Sequence, residues 1–275
     1  MRLRDLRRAC ADKLRPACGD SAAYDADLLI EKAYGISRGE LITKLDTGLD
    51  QGTVEPLIER RISGEPTQYI LGEWEFYGLP FYVGEGVLIP RQDTEISVER
   101  ALSLIKDIRS PHVLELCSGS GCIAVAIASA RPDARVTAVE LYDDALRYLR
   151  RNVERNAVGV EIRKADVLKA PSEFGKYDLI ISNPPYINDA DMSALPREVR
   201  REPQTALAGG EDGLDFYRAI ARLWLPLVER GGAVTVEIGY DQGDAVRDIF
   251  ISSGVDAVCE KDYSGLDRVI YGTVK

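Results

Sequence analysis

The feature that most constrains the fold is a regular alternation along the larger, carboxyl-terminal part of the chain. After about residue 95, helical stretches separate short apolar runs, which read HVLELCSG, RVTAVEL, VEIRKAD, YDLIISN, GAVTVEI and RVIYGTV. Such alternation is typical of a mostly parallel sheet with helices on both faces. Ligands of these folds bind at the carboxyl ends of the strands. The pattern therefore predicts an α/β fold and places any site at that edge of the sheet.

The amino-terminal part has a different pattern. Its signals are helical, and Ser37 with Glu40 has the spacing of a capping box, in which two side chains satisfy the first amides of a helix. The next segment, QYILGEWEFYGLPFYVGEGVLIPR, is rich in aromatic and β-branched residues interrupted by glycine and proline, as in a hairpin. We predict a small helical bundle over 1–64, a β-hairpin linker over 65–94 and an α/β domain over 95–275.

The composition excludes several classes of function. A single histidine, His112, argues against a Ser-His-Asp triad and against a histidine-ligated metal, so no metal is expected. The cysteines form no C-x-x-C pair, which favours reduced thiols. The formal net charge of −10 comes without the clustered basic surface that tight nucleic-acid binding needs. We find no secretion signal and no run of roughly 20 apolar residues, so the expected location is the cytoplasm.

A glycine turn follows the first predicted strand of the α/β domain. In LELCSGSGCIAVAIASA, Gly119 and Gly121 let the backbone turn tightly and approach a ligand before the next helix. Glu140 ends the second strand, where its carboxylate can accept both hydroxyls of a ribose. The spacing Gly119-x-Gly121-x-x-Ala124 also fits a dinucleotide fingerprint, and the turn alone could serve only helix packing. Turn and acid together predict a nucleoside site.

Two further carboxylates are candidates for the same site. Asp166 follows the third predicted strand, from which it can reach an adenine amino group, and Glu115 precedes the glycine turn. Each can instead be an ordinary helix cap or loop acid. They are included because both stand at strand ends that are expected to share one edge of the sheet.

The fourth predicted strand stops abruptly at Asn183-Pro184-Pro185-Tyr186, since two prolines cannot extend a hydrogen-bond ladder. The Asn183 side-chain carbonyl and the Pro184 backbone carbonyl offer two acceptors for one planar NH₂ group. Fixing both N–H bonds directs the nitrogen lone pair toward an electrophile, and Tyr186 can cover the flat face of the substrate. A sulfonium methyl group, as in S-adenosylmethionine, needs in-line placement but no strong base. A simple proline turn is the alternative explanation of this motif.

Several stretches resemble a known family. The segments ELCSGSG, AVEL, KADV and ISNPPYI are similar to those of class I S-adenosylmethionine-dependent methyltransferases, which have a Rossmann-like sheet. Further stretches resemble the HemK-like protein-(glutamine-N5) methyltransferases that act on peptide chain release factors: RRISGEPTQYILGEWEFYGLPFYV, VLIPRQDTE, EPQTALAGGEDGLDFYR, EIGYDQG and DYSGLDRVIYG. The resemblance covers nearly the whole chain, and generic methyltransferases do not share this second group.

The resemblance implies a set of site residues. Asn183, Pro184, Pro185 and Tyr186 would hold the substrate glutamine and form the catalytic motif. The residues expected to bind S-adenosylmethionine are Glu115, Cys117, Ser118, Gly119, Ser120, Gly121, Glu140, Asp166, Val167 and Asn183. Cys117 and Ser118 stand where the family commonly has glycine and threonine. A cysteine would be costly at position 117 if the backbone there requires a positive φ.

The expected function is methyl transfer to the glutamine of the Gly-Gly-Gln loop of class I release factors, in support of translation termination. The helical region 1–64 and the linker would dock that protein, with no direct nucleic-acid or membrane partner and a monomer as the expected state. Adenine-N6 methyltransferases are the alternative, since adenine presents an equivalent NH₂ group. The non-enzymatic alternative is a nucleotide-binding module with a blocked substrate site. A nicotinamide oxidoreductase is disfavoured, because hydride transfer does not require an Asn-Pro-Pro-Tyr motif. The acidic net charge favours a glutamine substrate over adenine, because an adenine in a duplex has to be flipped out of its stack with the help of phosphate contacts.

Overall fold

The chain forms two compact units. The computed structural model describes all residues, Met1–Lys275. One unit comprises Met1–Glu73 together with Pro196–Arg201, and the other comprises Trp74–Leu195 together with Glu202–Lys275. The second segment of the first unit is short and distant in sequence, and no sequence pattern assigned it there. The functional division predicted at residues 64 and 94 stays a prediction.

The first unit is a bundle of short helices: α1 (Leu3–Cys18), α2 (Ala22–Tyr34), α3 (Arg38–Thr43), α4 (Glu55–Ile62) and α5 (Thr67–Leu71). Its core consists of apolar side chains from all five helices, among them Leu6, Leu14, Leu29, Leu41, Ile58 and Ile70. The predicted capping box is confirmed, since the Ser37 side chain accepts the Glu40 N–H while the Glu40 carboxylate accepts the Ser37 N–H. The helical character predicted for this part of the chain is therefore present.

An ion-pair cluster around the buried Arg61 joins the two segments of the helical unit. Arg61 on α4 is 6% exposed, and its Nε lies 2.9 Å from Asp25 Oδ2 on α2. Its Nη2 lies 2.6 Å from Glu198 Oε2. Asp25 is buried together with Arg61, whereas Glu198 is exposed, so the contact through which Arg61 reaches residues 196–201 is partly screened by solvent.

All the strands lie in the second unit, apart from Glu73, the first residue of β1, which belongs to the first unit. The hairpin strands are β1 (Glu73–Phe76) and β2 (Leu79–Tyr82), and the main sheet contains β3 (His112–Leu116), β4 (Arg135–Glu140), β5 (Val160–Lys164), β6 (Tyr177–Ser182), β7 (Val228–Glu237), β8 (Val255–Lys261) and β9 (Asp267–Val274). The order in the main sheet is β5-β4-β3-β6-β7-β9-β8. The first five of these strands are parallel, and β9 runs antiparallel to both β7 and β8.

Helices cover both faces of this sheet. Apolar side chains of α6 (Thr94–Leu104), α7 (Cys122–Ala130) and α8 (Asp143–Arg155) share one core with Val113, Ala138 and Ile181. The other core contains side chains of α9 (Asp215–Ala219) and α10 (Gly243–Ser252) against Leu114 and Ile180. Adjacent strand residues thus point into opposite cores, as the pleat requires. The predicted mostly parallel, two-faced α/β sheet is confirmed. None of the helices combines the length and the apolar character that crossing a membrane demands.

Candidate active site

A cavity opens at the carboxyl ends of β3, β4, β5 and β6, the edge that the alternating pattern indicated. Many of the residues predicted for the site line it: Glu115, Cys117, Ser118, Gly119, Ser120, Glu140, Asp166, Val167, Asn183 and Pro185. Three other predicted residues, Gly121, Pro184 and Tyr186, are not part of the lining. The sheet therefore brings side chains from four strand ends to one place.

The glycine turn after β3 is braced from several sides. The Ser118 N–H donates to the Val139 carbonyl at 3.0 Å, and the Gly121 N–H donates to the Ser118 carbonyl at 2.7 Å. The side-chain amide of Asn152, fully buried on α8, donates to the Ser120 carbonyl at 2.9 Å. Because its carbonyls and amides are engaged in this way, the loop has a defined shape before any ligand binds.

Cys117 begins this turn in the left-handed region, with a φ of 57°. An L-residue with a side chain is strained there, by roughly 1–2 kcal/mol in the fully left-handed conformation. The backbone at position 117 therefore has the positive φ at which a cysteine was expected from the sequence to be costly. Burial raises the pKa of the Cys117 thiol far above its usual range, so the thiol stays neutral. The side chain packs against the core on the α9 and α10 side of the sheet.

The two glycines of the turn have different surroundings. Gly119 has a φ of 53°, and a Cβ added to it would meet nothing within 4 Å. Gly121 has a φ of 78°, and an added Cβ would lie 2.2 Å from Leu149 Cδ1. Gly119 thus leaves open space beside the cavity, whereas Gly121 allows α8 to pack closely behind the turn.

Glu140 ends β4 with its carboxylate held by backbone amides. Oε2 accepts the Gly119 N–H at 2.8 Å, and Oε1 accepts the N–H groups of Leu141 at 2.7 Å and Tyr142 at 2.9 Å. A carboxylate oxygen can accept more than one hydrogen bond, so these contacts leave room for hydroxyl donors in the cavity. The carboxylate also connects the glycine turn to the end of the neighbouring strand.

Glu115 lies deeper, with 1% of its surface exposed. Its Oε2 accepts the Ala124 N–H at 3.1 Å in the first turn of α7. Burial raises the pKa of Glu115 to about 8, although hydrogen bonds from Ser118 and Ala124 oppose that shift. The raised pKa favours the neutral, protonated form of Glu115.

Asp166 and Val167 follow β5. Asp166 Oδ1 accepts the Leu168 N–H at 3.0 Å, and Oδ2 pairs with Lys169 at 3.1 Å. The Val167 carbonyl accepts the Trp224 indole N–H at 2.8 Å, which fixes the backbone next to Asp166. Asp166 thus makes the local contacts of a loop acid and also lines the cavity.

The Asn-Pro-Pro-Tyr motif follows directly after β6, as predicted. Asn183 Nδ2 donates to the Thr94 hydroxyl oxygen at 3.2 Å. Of the two ends of the amide, it is therefore the carbonyl oxygen that stays available to a ligand. Pro184 and Pro185 are buried, and burial raises the pKa of the half-buried Tyr186 to about 12.

A glycine-rich segment holds the backbone after the motif. The Ile187 N–H donates to the Leu207 carbonyl at 2.9 Å, and the Gly209 N–H donates to the Ile187 carbonyl at 2.8 Å. A Cβ on Gly209 would lie 2.7 Å from the Tyr186 Cα, so only glycine permits this approach. The Gln242 side chain donates to the Tyr186 carbonyl at 3.0 Å. The motif therefore sits on a fixed backbone.

Comparison with known proteins gives the family. A release factor glutamine methyltransferase of Geobacter sulfurreducens is 41% identical over 263 residues, which span 93% of this chain and 90% of that protein. The protein of the same name from Vibrio cholerae is 38% identical, over 98% of this chain and 95% of its own length. This chain belongs to the release factor glutamine methyltransferase family. Family models agree, since the PrmC N-terminal domain matches residues 5–72 and the methyltransferase small domain matches residues 97–210.

The sheet also resembles more distant solved structures. The 16S rRNA N2 G1207 methyltransferase of T. thermophilus, solved with AdoMet and guanosine, is 18% identical with a TM-score of 0.52, over 74% of this chain and 50% of that one. At this identity the likeness concerns the fold alone. Membership of the release factor glutamine methyltransferase family confirms the predicted enzyme class, its action on release factors and its methyl donor, S-adenosylmethionine.

The cavity is suited to that cofactor. It has a backbone-held carboxylate for the ribose in Glu140, open space beside Gly119, a partly exposed acid in Asp166 and apolar walls from Ile123, Val139, Leu141 and Val167. An adenosyl group needs hydrogen-bond acceptors for its hydroxyls and amine together with apolar surface for its ring, and the residues that line this cavity supply both.

Several lining residues come from segments that the site prediction did not include. They belong to the stretch before and at the start of α6 (Gly86, Val87, Leu88, Pro90, Arg91, Thr94) and to residues before and in α9 (Pro203, Thr205, Ala206, Phe216). The sequence contained a signal, since VLIPRQDTE and EPQTALAGGEDGLDFYR were among the stretches that carry the family resemblance. Neither stretch has a spacing that assigns a chemical role from the residues alone.

Proposed function

We propose that Asn183 and Pro184 hold the reacting amide when this family member methylates the N5 nitrogen of the glutamine in the Gly-Gly-Gln loop of class I release factors. The observation that carries this proposal is the orientation of Asn183. Its NH₂ end donates to Thr94 at 3.2 Å, which leaves its carbonyl oxygen to accept an N–H from the substrate. The backbone carbonyl of Pro184 is the proposed second acceptor.

Two acceptors solve the chemical difficulty of this reaction. An amide nitrogen is a poor nucleophile because its lone pair is delocalised into the carbonyl. Hydrogen bonds from both of its N–H groups favour a pyramidal nitrogen and direct the lone pair at the methyl carbon. The fixed backbone of the motif matters here, because an error of about 1 Å in placement can cost a hundredfold in rate.

When bound, S-adenosylmethionine supplies a methyl group on a positively charged sulfur that leaves with the electrons of the broken carbon–sulfur bond. The nitrogen that receives the methyl group becomes acidic and loses a proton, so this chain needs no strong base. Its single histidine, His112, lies at the start of β3, the opposite end from the cavity. This placement is consistent with a reaction that depends on positioning.

We propose that Glu140 accepts the ribose hydroxyls and that Asp166 accepts the adenine amino group. Glu115, Cys117, Ser118, Ser120, Gly119 and Val167 would form the walls around the cofactor, with Gly121 supporting the turn from behind. Pro185 would line the path between the cofactor and the glutamine, and Tyr186 would lie beside the substrate amide. The residues proposed as walls all line the cavity, which supports this part of the proposal.

The substrate side of the proposal concerns a protein loop. The net charge of −10 supports a protein substrate over nucleic acid, because phosphate backbones are bound by clustered basic groups. We propose that the helical region 1–64 and the linker 65–94 dock the release factor, that the enzyme acts as a monomer, and that it works in the cytoplasm where translation terminates.

Mass spectrometry of the substrate tests this function. The protein is incubated with labelled S-adenosylmethionine and either an intact release factor, its isolated loop peptide or an adenine-containing oligonucleotide. We expect the label on the loop glutamine of the intact factor, much slower labelling of the peptide and none on the oligonucleotide. Comparable labelling of oligonucleotide and factor would overturn the glutamine assignment, and equal rates on factor and peptide would overturn the docking role.

A further inference from the structure

Gln242 lies outside the lining of the cofactor cavity, and both ends of its side-chain amide are engaged. Its Nε2 donates to the Tyr186 carbonyl at 3.0 Å and to the Gly213 carbonyl at 3.2 Å. Its Oε1 accepts the Gly239 N–H at 2.9 Å. Because a primary amide has two hydrogens to donate, these bonds use both of them and the oxygen as well.

The orientation of this amide is fixed by its partners. All three are backbone groups, and a carbonyl can only accept a hydrogen bond while an N–H can only donate one. Turning the amide over would place its oxygen against two carbonyls and its NH₂ group against an N–H. The Gln242 side chain therefore has one arrangement, in which it joins the end of the Asn-Pro-Pro-Tyr motif to the loop before α9 and the loop after β7.

The stability of the following helix does not account for a glutamine here. Gln242 is the N-cap residue of α10, a position at which Ser, Thr, Asp and Asn are preferred because their side chains bond to the first amides of the helix. The Gln242 side chain makes no such bond. It bonds instead to backbone groups outside the helix, one of which belongs to the substrate motif.

The motif needs support of this kind because of its two prolines. Neither proline has an N–H, so neither can be held by a hydrogen bond that it donates. The segment is therefore fixed through the residues on either side. Before the prolines, the Asn183 side chain donates to Thr94 at 3.2 Å. After them, the Tyr186 carbonyl accepts the Gln242 N–H, and the restricted φ of the proline rings passes any shift of the Tyr186 backbone to the proline carbonyls.

The close approach of the loop before α9 makes this contact possible. A Cβ on Gly213 would lie 2.3 Å from the Tyr186 carbonyl oxygen and 2.7 Å from Gln242 Nε2. The φ of Gly213 is 74°, a left-handed value that favours glycine. Position 213 therefore has to be glycine for Tyr186 and Gln242 to meet as they do.

We propose that Gln242 is a positioning residue that sets where the Asn-Pro-Pro-Tyr motif faces the reacting amide. The inference rests on the proposed role of Asn183 and Pro184, and it adds the side chain that holds the far end of their segment. The Pro184 carbonyl comes two residues before the Tyr186 carbonyl, so its place depends on the bond from Gln242. Without that bond the motif can shift, and an error of about 1 Å in placement can cost a hundredfold in rate.

The test uses the full-length protein with intact release factor and saturating S-adenosylmethionine. Gln242→Met keeps the length of the side chain but has no N–H to donate. Gly213→Ala disturbs the same junction independently, since its methyl group would meet both the Tyr186 oxygen and the Gln242 amide. For each variant we would measure kcat, the KM for the release factor, the calorimetric dissociation constant of the cofactor and the thermal unfolding temperature.

Two control variants separate positioning from a loss of stability. Phe250→Leu reduces a fully buried side chain on α10, the helix that follows Gln242, and has no part in the three hydrogen bonds. Gly254→Ala places a Cβ at a φ of 89° where nothing lies within 4 Å, so it has the backbone strain of Gly213→Ala without its contacts. Both controls should lower the unfolding temperature and keep the wild-type kcat.

We expect Gln242→Met to lower kcat by roughly tenfold or more, because the group that fixes the motif is lost. The KM for the release factor and the cofactor dissociation constant should each change by less than about threefold, since Gln242 acts on placement and does not line the cofactor cavity. Gly213→Ala should lower kcat with the same small change in KM. In both variants kcat should fall further than in a control of similar unfolding temperature.

Wild-type kcat in a folded Gln242→Met or Gly213→Ala variant would overturn the inference. An effect confined to KM would also overturn it, and so would equal losses of kcat in the controls. Asn183→Ala, measured alongside, separates the two levels of the proposal. If Asn183→Ala keeps full activity, the proposed role of the motif fails. If Asn183→Ala is inactive while Gln242→Met and Gly213→Ala keep the wild-type kcat, only the positioning role of Gln242 fails.

Discussion

Two glutamates end strands of the same sheet, and the protein holds them in different ways. Glu140, on β4, accepts N–H groups from Gly119, Leu141 and Tyr142. Glu237, on β7, is 2% exposed and has one carboxyl oxygen without a hydrogen-bond partner. Backbone groups within a few residues of the strand ends shape the cofactor side of the site, whereas on the substrate side the Asn183 amide depends on Thr94, 89 residues earlier in the chain. We expect contacts made by backbone amides to survive substitution of neighbouring side chains, and contacts made by side chains to be lost when those residues are replaced.

The largest expected effect is on the substrate side. Asn183→Ala should slow single-turnover methyl transfer by about a hundredfold or more, because the reacting nitrogen loses an acceptor that positions it. The cofactor dissociation constant should change far less. Asn156→Ala, which removes an amide bonded to the Pro80 carbonyl at the end of α8, is the matched control and should keep its rate. Full activity of a folded Asn183→Ala variant would show that side-chain positioning is not what this motif provides.

On the cofactor side, Glu140→Ala should weaken S-adenosylmethionine binding by about 1.5–3 kcal/mol for each charge-assisted hydrogen bond lost. Affinity for the release factor should change less. Calorimetry with the cofactor measures the effect. Glu161→Ala is a suitable control, since Glu161 is exposed on the neighbouring strand β5 and pairs with Arg163. An unchanged cofactor dissociation constant in Glu140→Ala would remove Glu140 from the site.

The two glycines of the turn provide a matched pair of variants. Gly121→Ala should lower the free energy of unfolding by roughly 1–3 kcal/mol, because the new methyl group would lie 2.2 Å from Leu149 Cδ1. Gly119→Ala meets open space and should lose less stability, yet it should weaken cofactor binding because its methyl group enters the cavity. Urea denaturation and cofactor titration separate the two effects. Equal losses of stability would contradict the packing role assigned to Gly121.

The smallest effect concerns the left-handed residue of the turn. Cys117→Gly and Cys117→Ala both lose the thiol, and they differ only in the Cβ at a φ of 57°. The glycine variant should be more stable than the alanine variant by about 1 kcal/mol, because a Cβ is strained in that region. Urea denaturation of the two proteins is the measurement. If alanine is as stable as glycine, the backbone of the turn relaxes more readily than its hydrogen bonds suggest.

Contacts made near the strand ends could be predicted from the sequence, whereas contacts between distant segments could not. Gly119, Glu140 and Asp166 were found because local patterns, a glycine turn and acids after apolar runs, record contacts made within a few residues of each strand end. Thr94 lies 89 residues before Asn183, and nothing in the spacing of either residue records that they touch. That contact depends on the packing of α6 against β6, which brings the start of the helix to the end of the strand.

Segment 196–201 has a consequence for exchanging parts between relatives. The chain passes between its two units after Glu73, after Leu195 and after Arg201. A chimera that grafts only the amino-terminal helices of another family member would combine a foreign α4 with the native Glu198. Arg61, or its replacement, would then face a carboxylate that did not evolve with it. An exchange of the helical unit therefore has to transplant two stretches of sequence together, and recombination at a single point after residue 73 would disrupt the unit it was meant to transfer.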